Sequence, residues 1–226
     1  MKVGALIPCR SGSKGIPFKN FKIFCGKPLY WWTLDAAKDT GIFDKIILSS
    51  DGGFDPMPEG VIVDNNRPAE FATDEARLDP LLLHYALLHE DIDLWCLLQP
   101  TSPLRPAEDI MRSYEMAAPD TFDSIVSVYP EKGFYWVKDA VEFDGRKMAV
   151  ATYHTDKRPN RDQRSAWFAE NGAIYWTKKY AVKHSGIRCG GEVGLYVMTR
   201  ENSLEMDDEL DWRICEMVMR SRNGMA

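Results

Sequence analysis

The chain lacks any C-x-x-C pair, and its five cysteines (Cys9, Cys25, Cys96, Cys189, Cys215) are odd in number and scattered. That pattern excludes a disulfide framework and a zinc site of ordinary spacing; reduced thiols in a cytoplasmic protein are expected. No stretch approaches the roughly 18 apolar residues of a membrane span. Pro, Gly and basic residues interrupt the first apolar run almost at once, so neither a secretory leader nor export is expected. His84, His89, His154 and His184 form no metal-spaced pair, since His84 and His89 lie five apart on a predicted helix and so on different faces. Acid is missing from the start of the chain. Lys2, Arg10, Lys14, Lys19, Lys22 and Lys27 all precede the first carboxylate, Asp35, although the whole chain carries a net charge of -6, so the remainder carries -12. A local cationic site on an acidic protein is the wrong distribution for a general nucleic-acid binder.

What is present reads as a folded domain. The 226 residues are 45% hydrophobic, which is enough to bury one core and excludes a disordered chain. Short apolar runs alternate with amphipathic ones: KVGALI, LYWWTLDAAKD, KIILSS, GVIVD, DPLLLHYALLHE, LWCLLQ, a helical stretch over 107–117, then DSIVSVY. Apolar strands between helices predict an α/β fold, three layers around a mainly parallel Rossmann-like sheet. Between KIILSSD and GVIVD stand only GGFDPMPE, too short and too proline-broken for a helix, so a loop crossover is expected there. From Pro130 to about residue 168 the pattern changes to short β-like pieces, with Asp144-Gly145 as a hairpin signal, and a β-rich arm inserted in a single domain is expected. Strands resume at GAIYW and VGLYVM, and a closing helix is expected over 209–220 with Leu210, Ile214, Met217 and Val218 on its apolar face.

The loop after the first strand reads IPCRSGSKGIPFKN. In an open α/β sheet ligands bind beyond the carboxyl ends of the strands, and this loop stands at such a place. Gly12 and Gly15 permit close backbone approach, while Arg10, Lys14 and Lys19 add positive charge, a chemistry suited to phosphate. The order is neither that of a P-loop nor that of a dinucleotide fingerprint. A solvated turn whose charges serve solubility stays open on this run alone.

IPCRSGSKGIPFKN together with GKPL, RPAEFATD, LLQPTSPLR, ENGAIY and SLEMDDELDW resembles, in order and spacing, the acylneuraminate cytidylyltransferase family, and the resemblance spans almost the whole chain. It implies transfer of CMP from CTP to the anomeric hydroxyl of a 2-keto-3-deoxy sugar acid, with release of pyrophosphate, Mg²⁺ as cofactor, and a homodimer built through the arm; it implies no nucleic-acid or membrane partner. Arg10, Lys14 and Lys19 are the implied catalytic cations, with Ser13 also on the triphosphate and Asn20 positioning the nucleotide. Arg67 resembles the base-contacting arginine, whose fork suits the cytosine carbonyl and ring nitrogen; a surface ion pair with Glu70 or Asp74 is its bland alternative.

Gln99 is implied to meet the sugar acid, with Asn171 close by, and Arg161, Gln163 and Arg164 to reach its carboxylate from a partner's arm. Thr101 or Ser102 is expected to cap the next helix, and Arg105 to present charge. Asp207, Glu205 and Asp211 are the implied metal ligands, Asp207 first; Glu205 replaces the family's Asp, and Asp211 alternatively supports the helix start. Cys9 and Phe18 stand where the family usually has Ala and Gly, and EARLD follows Asp74 where small hydroxyl residues are usual. Two further readings stay open: a nucleotidyltransferase for another base or sugar, and a sugar-nucleotide binding module without turnover.

Overall fold

A computed structural model describes residues 1–54, 58–158, 160 and 167–224. Its apolar runs become a seven-stranded sheet in the order β11-β7-β10-β6-β1-β4-β5, comprising β1 (Val3–Pro8), β4 (Lys45–Ser49), β5 (Ile62–Asp64), β6 (Leu94–Leu98), β7 (Ser124–Glu131), β10 (Trp167–Lys178) and β11 (Val193–Val197). The strands β6, β1, β4 and β5 run parallel, whereas β10 is antiparallel to β6, with Tyr175 opposite Leu97. Every residue of β1 and β6 is buried, as expected for strands covered on both faces.

Alternation along these strands feeds two cores. Ala5, Ile7, Cys96 and Leu98 face α1 (Leu29–Thr40) and α3 (Ala107–Ala117) through Tyr30, Leu34 and Ile110. Leu6, Ile47, Trp95 and Leu97 face α2 (Leu78–Leu88) and α4 (Lys179–Ser185) through Leu81, Leu82, Tyr85 and Val182. Trp176, fully buried, stacks on Phe43 and donates its indole N–H to Ser113 Oγ at 2.9 Å, so its one polar atom is satisfied. This is the α/β fold the alternation predicts. No helix of the described residues is long and apolar enough to cross a membrane.

Between β4 and β5 the described residues form no helix, and Phe54 covers that part of the sheet against Phe21 and Tyr30. The chain divides into two compact units, one of residues 1–129 and 170–226, the other of residues 130–169. The second holds a hairpin of β8 (Trp136–Phe143) and β9 (Arg146–Ala151), turned by Asp144 and Gly145 at φ 48° and 68°. Both central residues at positive φ make the turn that the Asp-Gly pair signals. The sequence reading missed a smaller hairpin, β2 (Ile23–Phe24) with β3 (Lys27–Pro28), whose turn residues Cys25 and Gly26 have φ 46° and 93°. It also missed α4, seven residues being too few to show a helical period.

The closing helix α5 (Glu209–Arg222) is present, but rotated from the expected face. Trp212, Cys215 and Met219 are buried, while Leu210, Ile214 and Met217 are exposed and only Val218 of the expected set packs inward. The buried side is the one that carries Trp212, whose ring packs edge-on against Phe24 at 5.3 Å. Asp208 accepts from Leu210 N at 2.8 Å and Asp211 N at 3.0 Å, and Asp211 accepts from Asp208 N at 3.1 Å, a capping box that sets the phase of the first turn. The buried stripe joins Ile16, Phe24, Leu104 and Met206 in a third cluster beside the opening loop.

Trp212→Ala is therefore expected to cost about 3–5 kcal/mol and Met217→Ala less than about 0.5. Urea midpoints at unchanged m-value measure both, and equal losses would overturn this orientation of α5.

Candidate active site

The opening loop is folded by its own side chains. Asn20, buried, donates from Nδ2 to the Arg10 carbonyl at 2.9 Å and closes the loop on itself. Ser11 donates from both N and Oγ to Asp51, at 2.7 and 2.9 Å, which ties the loop to the end of β4. Burial alone would raise the Asp51 carboxyl, but the Ser11 donors outweigh it and hold the group below its ordinary value. Phe18 has φ 52°, a left-handed geometry that costs a side chain about 1 kcal/mol and accounts for the usual glycine there. Cys9 is a buried filler whose thiol burial pushes up.

Gly15 and Lys19 join this loop to the acidic segment before α5. A Cβ on Gly15 would overlap the Asp207 carbonyl oxygen. Lys19, 12% exposed, donates to the Met206 carbonyl at 2.6 Å and stands 3.7 Å from Asp207 Oδ1. Ile16 and Met206 are both fully buried in the third cluster, so loop and segment form one packed piece, each side chain contributing about 1.5–3 kcal/mol.

That junction is one wall of a cavity of about 350 Å³. Nine sequence-predicted residues line it: Arg10, Ser13, Lys14, Lys19, Asn20, Arg67, Gln99, Glu205 and Asp207. Arg67 is buried and forms no ion pair with Glu70 or Asp74, so the surface reading is overturned. Its Nη2 donates to the Phe71 carbonyl, while Nε and Nη1 have no partner among the described residues. These two donors share no bidentate edge, since each edge of the guanidinium also includes the engaged Nη2, so they remain as separate buried donors on one planar group. Burial lowers the pKa of this guanidinium, and Asp51 opposes the shift.

Gln99 donates from Nε2 to the Gly172 carbonyl at 2.9 Å. Gly172, at φ 66°, permits the crowding, since a Cβ there would lie 2.7 Å from Glu205 Oε1 and 3.0 Å from Gln99 Nε2. Glu205 is desolvated, and that burial first, then the charge of Asp207, raises its pKa to about 7. Thr101, expected as a helix cap, lines the cavity with its hydroxyl 3.4 Å from Glu205 Oε1, whereas α3 has Pro106 at its N-cap and no side-chain cap. Arg105 does not present charge outward. It is buried and donates from Nη1 to the Gln99 and Ala173 carbonyls at 3.3 and 2.7 Å, clamping β6 to β10 where Gln99 leaves the sheet.

Three expectations fare differently. Asn171 is buried with its amide saturated: Oδ1 accepts from Ser127 Oγ at 2.6 Å and Nδ2 donates to Ser203 Oγ at 2.8 Å. It lines a smaller cavity of about 190 Å³ that shares Glu205, and it joins β10 to the loop at Ser203 instead of offering a free amide. Asp211 accepts from Asp207 N at 3.0 Å and Asp208 N, so its carboxylate serves the helix start and lies outside the cavity. Arg161, Gln163 and Arg164 fall outside the described residues. No group of three or more His, Cys, Asp or Glu among the described residues is arranged to hold a metal ion, so the implied trio is not assembled; Glu205 and Asp207 alone share the cavity.

With this geometry in hand, comparison with known proteins is decisive. The profile of the cytidylyltransferase family matches residues 4–213. The chain belongs to the cytidylyltransferase family. Among curated members, N-acylneuraminate cytidylyltransferase A of Danio rerio is 30% identical over 217 residues, covering 95% of this chain and 50% of that protein. The N-acylneuraminate cytidylyltransferase of Oncorhynchus mykiss is 32% identical, covering 95% and 49%. That of Escherichia coli is 28% identical, covering 98% and 53%. The chain thus spans about half the length of the curated relatives it matches.

Two solved structures share the fold. A CMP:2-keto-3-deoxy-manno-octonic acid synthetase complexed with CTP has a TM-score of 0.67 at 14% identity, covering 98% of this chain and 100% of that one. A 4-diphosphocytidyl-2C-methyl-D-erythritol synthase from Anaerococcus prevotii has a TM-score of 0.67 at 12% identity, covering 97% and 98%.

Two outcomes follow from the site. Gly15→Ala is expected to force loop and segment apart and to lower nucleotide affinity by about 10-fold or more, by analogy with ångström-scale misplacement of binding groups; nucleotide titration measures it. The raised Glu205 pKa means the native state keeps a proton that the unfolded chain loses between its ordinary value of 4.5 and about 7. Stability should therefore fall as pH rises through that window, by on the order of 3 kcal/mol in total, and Glu205→Gln should flatten this part of the profile.

Proposed function

We propose that the protein transfers CMP from CTP to the anomeric hydroxyl of a 2-keto-3-deoxy sugar acid and releases pyrophosphate. One observation carries the reading: a single cavity gathers the cationic loop, a buried arginine with two free donors, and a pair of carboxylates. Each matches one part of the reaction. Arg10, Lys14 and Lys19 neutralise the triphosphate, with the Ser13 hydroxyl beside them. Arg67 offers a buried, unpartnered donor to an acceptor on the cytosine ring, and the energetic penalty of leaving that donor unpaired makes the base contact selective. Gln99, with one amide hydrogen held by Gly172, keeps its carbonyl oxygen for a hydroxyl of the sugar acid.

A divalent cation fits the residues present. Glu205 and Asp207 offer hard oxygen donors, and their mutual repulsion, part of what raises Glu205, is what such a charge would relieve. Mg²⁺ is held by one or two carboxylates together with substrate phosphates, so two residues suffice without a third ligand. Bound there it would supply neutralisation of phosphate charge. The chain's own part is positioning: phosphoryl transfer of this class needs in-line geometry and preorganised charge more than covalent participation.

Dimerisation through the second unit belongs to the same proposal. Val137, Val141, Phe143, Met148 and Val150 of its hairpin are exposed, and an isolated two-stranded hairpin with an apolar surface calls for a partner. Arg161 and Gln163, in the same segment, are the residues proposed to approach the sugar-acid carboxylate of the partner's site. All five cysteines are free, which suits a reducing cytoplasm.

The test is pyrophosphate release from CTP, Mg²⁺ and a panel of 2-keto-3-deoxy sugar acids, with ATP, GTP and UTP as controls. Release with CTP and one acid is expected; release with another nucleotide instead would reassign Arg67, and CTP binding without release from any acid would favour a binding module. Lys14→Ala should lower turnover by about 10²-fold, the order seen when one preorganised charge-stabilising donor is removed. Asp207→Asn should shift or abolish the Mg²⁺ titration, and an unchanged titration would move the metal elsewhere.

A further inference from the structure

Two of the three triphosphate cations are already engaged. Arg10 Nη1 lies 2.7 Å from Asp74 Oδ1 and 3.0 Å from the Thr73 carbonyl. Lys14 Nζ lies 3.6 Å from Asp74 Oδ2 and 3.4 Å from Glu75 Oε1. Arg10, Lys14 and Asp74 all line the large cavity, so these contacts stand where an anionic ligand would make its own. The third cation, Lys19, is held by Met206 and Asp207 instead. The next acid along the chain takes no part: Asp79 is buried and pairs with Arg77 at 3.1 Å and Arg188 at 3.8 Å. The acids on Arg10 and Lys14 are therefore two adjacent residues, Asp74 closing the RPAEFATD motif and Glu75 opening the run in which the sequence departs from its family's small hydroxyl residues.

We propose that Asp74 and Glu75 stand in for phosphate oxygens on Arg10 and Lys14, and so set how tightly the protein holds CTP and how readily it lets pyrophosphate go. The inference rests on reading the cavity as a CTP site. Its energetics follow from exposure. The side chains of Lys14 and Glu75 are 72% and 82% exposed, and pairs of this kind are weak and salt-screened. A triphosphate carries several charges and displaces them. Arg10 keeps its Thr73 carbonyl when Asp74 is displaced, so it stays positioned. As pyrophosphate departs the two acids return to the same cations, which makes them positioning residues that compete with substrate and product alike.

The experiment is calorimetric titration of CTP, and separately of inorganic pyrophosphate, into the purified protein at low ionic strength. Glu75→Gln should bind both about three- to fivefold more tightly than the unmodified protein, the range set by one exposed ion pair, and the gain should vanish at high salt. Glu75→Asp separates contact from a diffuse field. It keeps the charge but is one methylene too short to hold Lys14, so most of the gain should remain. In turnover, Glu75→Gln should lower KM for CTP and strengthen pyrophosphate inhibition without raising kcat. Unchanged or weaker binding by Glu75→Gln, or Glu75→Asp behaving as the unmodified protein, would overturn the inference while the CTP reading stands. An unmodified protein that binds neither CTP nor pyrophosphate would overturn both.

Discussion

The close backbone approach of Gly15 to Asp207 is the constraint on which the site depends. It brings a loop without acids against a segment rich in them, 192 positions later in the chain, and the two are fused by burial of Ile16 and Met206. Lys19 crosses this seam from a nearly dry position and gives the Met206 carbonyl a charged donor. The cations of the loop and the carboxylates of Glu205 and Asp207 thereby become neighbours on one packed piece. Charge of both signs in a single cavity, each held by its own scaffold, is what preorganisation for phosphoryl transfer requires.

Around that seam the polar groups divide into those that are satisfied and those that are not. Ser11 and Asn171 place their side-chain groups on the protein, while Asn20 and Arg105 each brace backbone carbonyls of the walls, Arg105 through Nη1 with Nε and Nη2 unpartnered among the described residues. Among the residues lining the cavity, Arg67 keeps Nε and Nη1 without a partner among the described residues, and Gln99 is held through Nε2. Glu205 sits between the classes, a carboxylate whose burial disfavours its own charge until a cation is near.

The same logic shows what could be read from residue order. Strands β1, β4 and β6 are short apolar runs and α3 carries a clear period, while α1 and α2 are apolar stretches longer than such strands, so these elements were legible. Asp144-Gly145 announced its hairpin because both residues tolerate positive φ; Cys25-Gly26 makes the same turn, yet two-residue strands leave no alternation to notice. The face of α5 differs from the expected one because Leu210, Ile214 and Met217 also form an apolar stripe, and the partners that take up Trp212 and Met219, among them Ile16 and Phe24, come from distant parts of the chain.

By itself the sequence determined the α/β class, the position of the cationic loop beyond the first strand, and nine of the residues that meet in the cavity, because strand length, charge order and motif spacing are local or serial properties. Tertiary structure alone decided that Arg67 is buried and half satisfied, that Asn171 and Arg105 are braces, that Asp211 belongs to a helix cap, and that Asp74 and Glu75 lie on Arg10 and Lys14. Each of these depends on which groups distant in the chain come within a hydrogen bond of one another, and burial, the quantity that turns a charge into a recognition element, has no value until the chain has closed around it.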